Sequence, residues 1–254
     1  MRFSDEDTIF ITGATSGFGL AIAKRFAKET SARLILLARR QERLEAIAKE
    51  LGRECHLICQ DIRDRAALET NIAAIPERFG KIAALTNNAG LALGTEPADQ
   101  ARIDEWETMI DTNCRALVTL TRLVLPGMLA RNRGHIVNIG STAGSWAYPG
   151  ANVYGASKAF VKQFSANLRA DIAGRPVRVT NIEPGAALTE FSIVRMRGDN
   201  TKADAVYQGM TPLSADDIAE AVYWSVSMPE HMNVTAMEIM ATAQAPAGLM
   251  MRRE

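Results

Sequence analysis

Several features that would place a protein in other classes are absent from this sequence. Its 254 residues carry no excess charge of one sign, because 29 Lys and Arg balance 29 Asp and Glu. This balance argues against a nucleic-acid or membrane-surface partner, since both attract positively charged surfaces. No stretch of about eighteen consecutive apolar residues occurs, so no transmembrane helix is expected.

Cysteine is scarce and does not have the spacing of a disulfide framework. Cys55, Cys59 and Cys114 are an odd number, which indicates a reducing compartment, and we expect a cytoplasmic protein. The N-terminus is acidic where a secretory signal would be basic. A metal site at Cys55 and Cys59 would need a second pair of ligands, so we expect buried thiols and no metal.

Short apolar strands alternate with helical patterns along nearly the whole chain. The predicted strands are Thr8–Thr12, Arg33–Ala38, His56–Gln60, Ile82–Asn87, His135–Ile139 and Val177–Ile182. Long helices are predicted from about Asp104 to about Asn132 and from about Tyr154 to about Ala173. This alternation predicts an α/β fold, a parallel sheet with helices on both faces. No repeat or linker interrupts residues 1–254, so we expect one domain, with an irregular, polar substrate lid at about residues 187–211.

A glycine-rich segment follows the first predicted strand and opens a helix. In a βαβ unit, such a turn lets backbone N–H groups and a helix N-terminus bind a pyrophosphate. Three glycines can also form a simple turn, but their position in the unit favours a dinucleotide. The cofactor-binding residues predicted here are Gly13, Thr15, Ser16, Gly17, Phe18 and Gly19.

The end of the second strand favours NADP over NAD as the cofactor. An NAD site needs a carboxylate about 20 residues beyond the glycine loop to bind the ribose 2′-hydroxyl. This sequence has Ala38 followed by Arg39 and Arg40, and a guanidinium can bind a 2′-phosphate through two hydrogen bonds. The alternative, an exposed arginine pair at a helix start, is disfavoured by the helix dipole.

Two further segments at strand ends are candidate cofactor contacts. Asp61, followed by Ile62, could accept a hydrogen bond from the adenine amino group, or it could cap the next helix. Asn88, Ala89 and Gly90 close the fourth strand as a turn or as backbone against the cofactor, and their position favours the cofactor side.

Ser141, Tyr154 and Lys158 have the spacing of an acid–base site. Tyr154 and Lys158 are four residues apart, so a helix presents both on one face. An ammonium near the phenol would lower the pKa of the tyrosine, which could then exchange a proton with an alcohol or a developing alkoxide. Ser141 would hold the same oxygen by a hydrogen bond. Asn113, inside the long helix, could hold water for a proton path or serve as a satisfied structural residue.

Together these residues resemble the short chain dehydrogenase family over essentially the whole chain. The resemblance rests on Thr12–Gly19, Asn87–Gly90, Asn113 and the Ser141, Tyr154 and Lys158 set. It implies a single-domain Rossmann-type fold, a catalytic tetrad of Asn113, Ser141, Tyr154 and Lys158, ribose binding by Lys158, and often a homotetramer. It also implies nicotinamide contacts from a further group, which consists of Pro184, Gly185 and Thr189.

A narrower resemblance, to bacterial NADP-dependent 3-hydroxy acid dehydrogenases, covers Glu105–Asn113, Gly134–Trp146 and Val153–Ser165. It implies a small 3-hydroxy acid, or its 3-oxo acid, as substrate. Such an acid needs a cationic partner, for which Arg195 in the lid is our candidate and Arg197 its competitor.

Ser141, Tyr154 and Trp146 complete the predicted substrate contacts, although core packing would explain Trp146 nearly as well. Two other functions stay open. One is a reductase of a bulkier ketone or of a carrier-bound 3-oxoacyl group; the other is a protein that binds NADP without turning it over. The second is the least favoured, because the sequence keeps both Tyr154 and Lys158.

Overall fold

The computed structural model describes residues 3–246, which form one seven-stranded parallel sheet covered by helices on both faces. The strands are β1 (Thr8–Thr12), β2 (Arg33–Ala38), β3 (Cys55–Cys59), β4 (Ile82–Asn87), β5 (Gly134–Ile139), β6 (Val177–Pro184) and β7 (Ala236–Ile239). Their order in the sheet is β3-β2-β1-β4-β5-β6-β7. The order reverses between β1 and β4, so a crevice opens there at the carboxyl ends of the strands.

Nine α-helices connect the strands within the described residues. They are α1 (Gly17–Glu29), α2 (Gln41–Leu51), α3 (Arg65–Ala73), α4 (Ile103–Ile110), α5 (Ala116–Ala130), α6 (Asn152–Asp171), α7 (Glu190–Arg195), α8 (Asn200–Ala205) and α9 (Ala215–Ser227). Along residues 3–246, no helix is long and apolar enough to cross a membrane.

The core lies on both sides of the sheet, as expected for strands that are buried on both faces. On one side, Ile22 and Phe26 of α1 pack with Ile218 of α9 against β1 and β2. On the other, Leu120 of α5 and Leu168 of α6 belong to a second buried cluster. All five residues are at most 8% exposed. The doubly wound fold predicted from the sequence is therefore confirmed.

One prediction about an individual element was wrong, and two features of the fold were not predicted. The helix predicted from about Asp104 to about Asn132 is present as a continuous helical segment over residues 103–130, but a π-helical turn at Asp111–Arg115, which was not predicted, separates α4 from α5. The lid is not irregular, because α7 and α8 lie within it, and the side chains of Thr189 and Asp199 cap their N-termini. Strand β7 was not predicted.

The cysteines also differ in part from the prediction. Cys55 is half-buried, and burial raises the pKa of its thiol to about 11. Cys59 at the end of β3 is exposed, which contradicts the expected burial. Cys59 is the last residue of β3, which is the outermost strand of the sheet formed by the described residues.

Candidate active site

One large cavity, of about 920 Å³, opens at the carboxyl ends of the central strands. It runs from the glycine loop after β1 past the ends of β4 and β5 to α6 and α7. Most of the residues predicted for the site line it, namely Gly13, Thr15, Ser16, Gly17, Phe18, Arg39, Arg40, Asp61, Ile62, Asn88, Ala89, Gly90, Ser141, Tyr154, Lys158, Pro184, Gly185, Thr189 and Arg195. Gly19, Asn113 and Trp146 are not among the residues that line it.

The glycine loop has a backbone that side chains would disrupt. Gly13 and Gly17 have φ values of +65° and +49°, which favour glycine. Gly19 lies under the loop, where a Cβ atom would overlap the carbonyl oxygen of Gly13 and approach Nδ2 of Asn88 to 2.6 Å. The same Asn88 amide donates a 2.8 Å hydrogen bond to the Thr12 carbonyl, which joins the end of β4 to the loop.

The start of α1 is suited to an anion. Ser16 is its N-cap residue, but its side chain makes no capping hydrogen bond within the described residues. The first N–H groups of a helix have no intrahelical acceptors, and here the helix begins at the cavity with Gly17 and Phe18. The arrangement therefore fits the pyrophosphate of a dinucleotide.

Cationic groups gather at the adjoining end of β2. Arg40 Nη2 donates to Thr15 Oγ1 at 3.3 Å, which holds this guanidinium beside the glycine loop. Glu190, at the start of the lid, lies 3.8 Å from Arg40 and 3.2 Å from Arg43. Arg39 faces the same cavity. A 2′-phosphate placed here would meet a positively charged wall.

Asp61 lies in the cavity, but it does not cap the following helix. Its carboxylate accepts hydrogen bonds from the backbone and guanidinium of Arg63, and the bond from the Arg63 side chain lowers its pKa. The cap of α3 is Asp64, which accepts from the N–H of Ala67 at 3.0 Å. The capping alternative for Asp61 is thus wrong, and its predicted contact with adenine stays a prediction.

Tyr154 and Lys158 are both buried on the face of α6 that looks into the cavity. They are 7% and 6% exposed, and Lys158 Nζ lies 5.9 Å from the centre of the Tyr154 ring. Lys158 Nζ donates a 2.8 Å hydrogen bond to the carbonyl of Ile139 at the end of β5. The Phe191 ring of the lid packs on Tyr154, with the ring centres 5.5 Å apart.

Burial dominates the protonation of this pair. It raises the pKa of Tyr154 above its ordinary value, against a hydrogen bond with Ser141 and the charge of Arg195, which lower it. Burial also lowers the pKa of Lys158 to about 8. The prediction that the pKa of Tyr154 is lowered is therefore wrong, because desolvation exceeds the effects of Ser141 and Arg195.

Ser141 follows β5 and begins a 3-10 turn at Thr142–Gly144. Its hydroxyl accepts from the N–H of Ala143 at 3.1 Å and donates to the carbonyl of Pro184 at 3.4 Å. These two bonds fix its side chain between the ends of β5 and β6, beside Tyr154. The hydroxyl is thus held where it can contact the same oxygen as the phenol.

Asn113 lies in the π-helical turn and is 1% exposed. Its amide makes two hydrogen bonds to the backbone of Leu91, at 2.9 and 2.8 Å, and one to Ser157 Oγ at 2.9 Å. The side chain is therefore satisfied by protein groups and joins the segment after β4 to α6. Any water path would have to use the backbone of the π-helical turn rather than this amide.

The two lid arginines have different surroundings. Arg197 forms ion pairs with Glu96 at 2.6 Å and with Glu105 at 2.7 Å, so its charge is already balanced. Arg195 lines the cavity, and its Cζ atom lies 5.7 Å from the centre of the Tyr154 ring. The geometry favours Arg195 over Arg197 as the cation that faces a substrate.

Trp146 does not wall the cavity, and this substrate contact was wrongly predicted. Its side chain is 38% exposed, and its indole N–H donates to Glu238 of β7 at 2.9 Å. The 3-10 turn after Ser141 carries the chain outward before Trp146 is reached. Tyr148, two residues later, faces the cavity instead and was missed, as was Gln244, whose Oε1 accepts from the N–H of Ala186 at 2.8 Å.

Comparison with known proteins agrees with this geometry. The short chain dehydrogenase family model matches residues 7–199. NADP-dependent 3-hydroxy acid dehydrogenase YdfG of Salmonella typhi is 53% identical over 246 residues, which cover 96% of this chain and 99% of the relative. Sulfoacetaldehyde reductase 2 of Chromohalobacter salexigens is 49% identical over 242 residues, with 94% and 96% covered. The closed form of serine dehydrogenase complexed with NADP+ superimposes with a TM-score of 0.94 at 52% identity, over 97% of this chain and 100% of that structure.

Proposed function

The chain belongs to the short chain dehydrogenase family as an NADP-dependent enzyme acting on a CH–OH group, and we propose that its substrates are small 3-hydroxy acids. In this proposal the 3-hydroxyl is oxidised to a carbonyl, or the reverse, with Tyr154 as general base or acid. The observation that carries it is the position of the Arg195 cation, 5.7 Å from the Tyr154 ring within one cavity. An acid–base group beside an anion-binding group suits a short substrate that has both a hydroxyl and a carboxylate.

The cofactor part rests on residues that fit NADP. The uncapped start of α1 would bind the pyrophosphate, and Arg39 and Arg40 would bind the 2′-phosphate. When bound, NADP supplies the nicotinamide that accepts or donates the hydride. Asn88, Asp61 and the turn at Pro184–Gly185 line the same cavity and support this binding mode.

Tyr154 would exchange the proton of the substrate hydroxyl, while Ser141 holds the oxygen. During oxidation the O–H proton passes to Tyr154, and the hydride leaves from the carbon that bears the hydroxyl. A buried phenol is a weak acid here, so the hydrogen bond with Ser141 and the charge of Arg195, which lower its pKa, are needed to stabilise its ionised form. Lys158 keeps its hydrogen bond to Ile139 and would bind the cofactor ribose with its remaining N–H groups.

Arg195 would bind the carboxylate of the substrate. Within residues 3–246 it donates three hydrogen bonds, to the carbonyl of Gly94, the hydroxyl of Tyr148 and the carbonyl of Gly150. A guanidinium has five N–H groups, so two are left, one on each terminal nitrogen. Two N–H groups in one plane suit a carboxylate.

The names of the relatives support an anionic substrate. One is called a 3-hydroxy acid dehydrogenase, another a serine dehydrogenase and a third a sulfoacetaldehyde reductase. All three named compounds carry a carboxylate or sulfonate within two carbons of the reacting carbon. An enzyme that acts on any of these compounds therefore needs a cationic group close to its acid–base residue.

The test is a substrate panel followed by NADPH absorbance. L-Serine, L-allo-threonine and 3-hydroxypropionate would be offered with NADP and, in parallel, with NAD. Turnover with NADP and a strong preference over NAD is the expected result. Silence on all three acids, with NADPH still bound, would refute the proposed substrate class.

A reductase of bulkier or carrier-bound ketones is the second candidate. A carrier protein would need a basic docking surface, but Arg197 is paired with Glu96 and Glu105 and adds no net charge there. Turnover of a bulky ketone but not of free short acids would select this candidate. A cytoplasmic location and a homotetramer stay predictions from the sequence and its family resemblance.

A further inference from the structure

Tyr148 lies between the 3-10 turn at Thr142–Gly144 and α6, and it contacts the lid. Its hydroxyl accepts a hydrogen bond from Arg195 Nη1 at 2.9 Å. Arg195 Cζ also lies 5.5 Å from the centre of the Tyr148 ring, a distance that permits a cation–π interaction.

Arg195 is held from three directions. Its Nε donates to the carbonyl of Gly94 at 3.2 Å and its Nη2 to the carbonyl of Gly150 at 3.0 Å. The N–H of Gly94 returns a 3.0 Å bond to the carbonyl of Arg195. Both glycines have positive φ, +71° and +75°. The directions of their carbonyl groups therefore depend on a backbone conformation that residues other than glycine rarely adopt. Among the described residues, Tyr148 supplies the third acceptor and the only one from a side chain.

We propose that Tyr148 is a specificity-determining residue that acts by positioning Arg195 for an anionic substrate. The proposal rests on the proposed function, in which Arg195 binds the carboxylate. The planar guanidinium can rotate about its long side chain, and bidentate binding requires its plane to face the substrate. The hydroxyl of Tyr148 fixes Nη1, so the free N–H groups keep one direction.

The perturbation is Tyr148→Phe, which removes one oxygen atom and keeps the ring. The two substrates are 3-hydroxypropionate and 3-hydroxypropionamide, which have nearly the same shape and differ in charge. Loss of one hydrogen bond that orients the guanidinium should raise KM for the acid about three- to tenfold. The amide should change less than about twofold, and kcat for the acid should hardly change, because Tyr148 does not exchange the proton.

Tyr207→Phe is the matched control. Tyr207 also lines the cavity with a lid-bound hydroxyl, but its partners are Ser192 Oγ at 2.6 Å and the carbonyl of Ala187 at 2.7 Å. Loss of the Tyr207 hydroxyl should change KM for the acid and for the amide by the same factor. If the amide turns over too slowly, the inhibition constants of propanoate and propanamide as competitive inhibitors give the same comparison between acid and amide.

A double-mutant cycle separates positioning from direct contact. In an Arg195→Ala background, Tyr148→Phe should have no further effect on the preference for the acid, because the group that it positions is gone. An additional, independent loss would overturn the proposal. So would equal losses for acid and amide in the single Tyr148→Phe variant.

The cycle also distinguishes a failure of the proposed function from a failure of the role of Tyr148. If Arg195→Ala leaves the preference for the acid unchanged, the proposed function fails. If Arg195→Ala abolishes the preference and Tyr148→Phe leaves it intact, only the role of Tyr148 fails.

Discussion

Replacing Gly19 by alanine tests the construction of the cofactor site without touching a charged group. Gly19 is the third residue of α1, and a Cβ atom there would overlap the Gly13 carbonyl oxygen. The next atom, Nδ2 of Asn88 at 2.6 Å, is held by its bonds to Thr12 and Gly13. Neither neighbour can withdraw without opening the turn between β1 and α1.

The expected magnitude follows from two opposed effects. Insertion of a methyl group into a packed site costs about 1–3 kcal/mol, and backbone obstacles favour the upper part of this range. Alanine is better than glycine within a helix by about 1 kcal/mol. The free energy of unfolding should therefore fall by roughly 1–2 kcal/mol, which lowers Tm by about 2–8 °C for a chain of this size.

NADPH affinity is the second readout of this variant. A displaced Gly13 carbonyl moves the N–H groups at the start of α1, so the Kd for NADPH should rise at least about tenfold, or 1.4 kcal/mol. Fluorescence titration measures the Kd, and thermal unfolding measures Tm.

Gly127→Ala in α5 is the matched control, because the one atom outside the helix backbone that a Cβ there would meet among the described residues is Nη1 at the tip of the Arg131 side chain, at 3.2 Å. It should stabilise the protein by up to about 1 kcal/mol and leave the Kd for NADPH unchanged. If Gly19→Ala behaved like Gly127→Ala in both readouts, the steric argument for the glycine loop would be refuted.

Three further variants test other parts of the site. Arg39→Glu should raise the Kd for NADP by about 100-fold while that for NAD changes little, since charge-assisted bonds to the 2′-phosphate are lost; equal losses would remove Arg39 from the phosphate site. Burial lowers the pKa of Lys158 from its ordinary value of 10.5 to about 8. Between about pH 8 and pH 10.5 the unfolded chain therefore binds more protons than the folded protein, and the free energy of unfolding rises with pH. Lys158→Met lacks this dependence, so its gain in thermal stability over the parent protein should be largest below pH 8 and shrink towards pH 10.5; a gap that does not vary with pH would contradict the assignment. Arg197→Gln leaves Glu105 without its cation, and the Glu105 side chain is only 11% exposed. The unpaired charge should loosen the lid, so limited proteolysis within residues 187–211 should accelerate. An unchanged cleavage rate would show that Glu96 and Glu105 do not hold the lid.

The strands and the order of the site residues could be predicted because their signals are local. Apolar runs such as Thr8–Thr12 and Arg33–Ala38 are buried on both faces, and they match the observed strands at both ends. Strand β7 escaped notice because it has only four residues and alternates between exposed and half-buried positions at the edge of the sheet. Its pairing with β6 supplies what its own sequence does not.

The lid shows a signal that was present but not used. Thr189 and Asp199 are typical N-cap residues, and each lies directly before a six-residue helix. The polar composition between them outweighed these caps in the prediction. The π-helical turn at Asp111–Arg115 has no comparable local signal, because its residues continue the helical pattern on both sides.

The errors in the substrate contacts have a different origin. Trp146 and Tyr148 are separated by one residue, and only the path of the loop decides which of them faces the cavity. Trp146 donates its indole hydrogen bond to Glu238, which lies 92 residues away in the chain. The pairing of Glu190 with Arg43 spans 147 residues and is equally invisible to local patterns.

The most direct test of the account compares Tyr154→Phe with the parent protein in the NADP-dependent oxidation of 3-hydroxypropionate. NADPH affinity would be titrated on the same samples. If Tyr154 exchanges the hydroxyl proton, kcat should fall by about 10²–10⁴-fold while the Kd for NADPH stays within about twofold. A variant that binds NADPH normally and oxidises the acid at the parent rate would contradict the central claim.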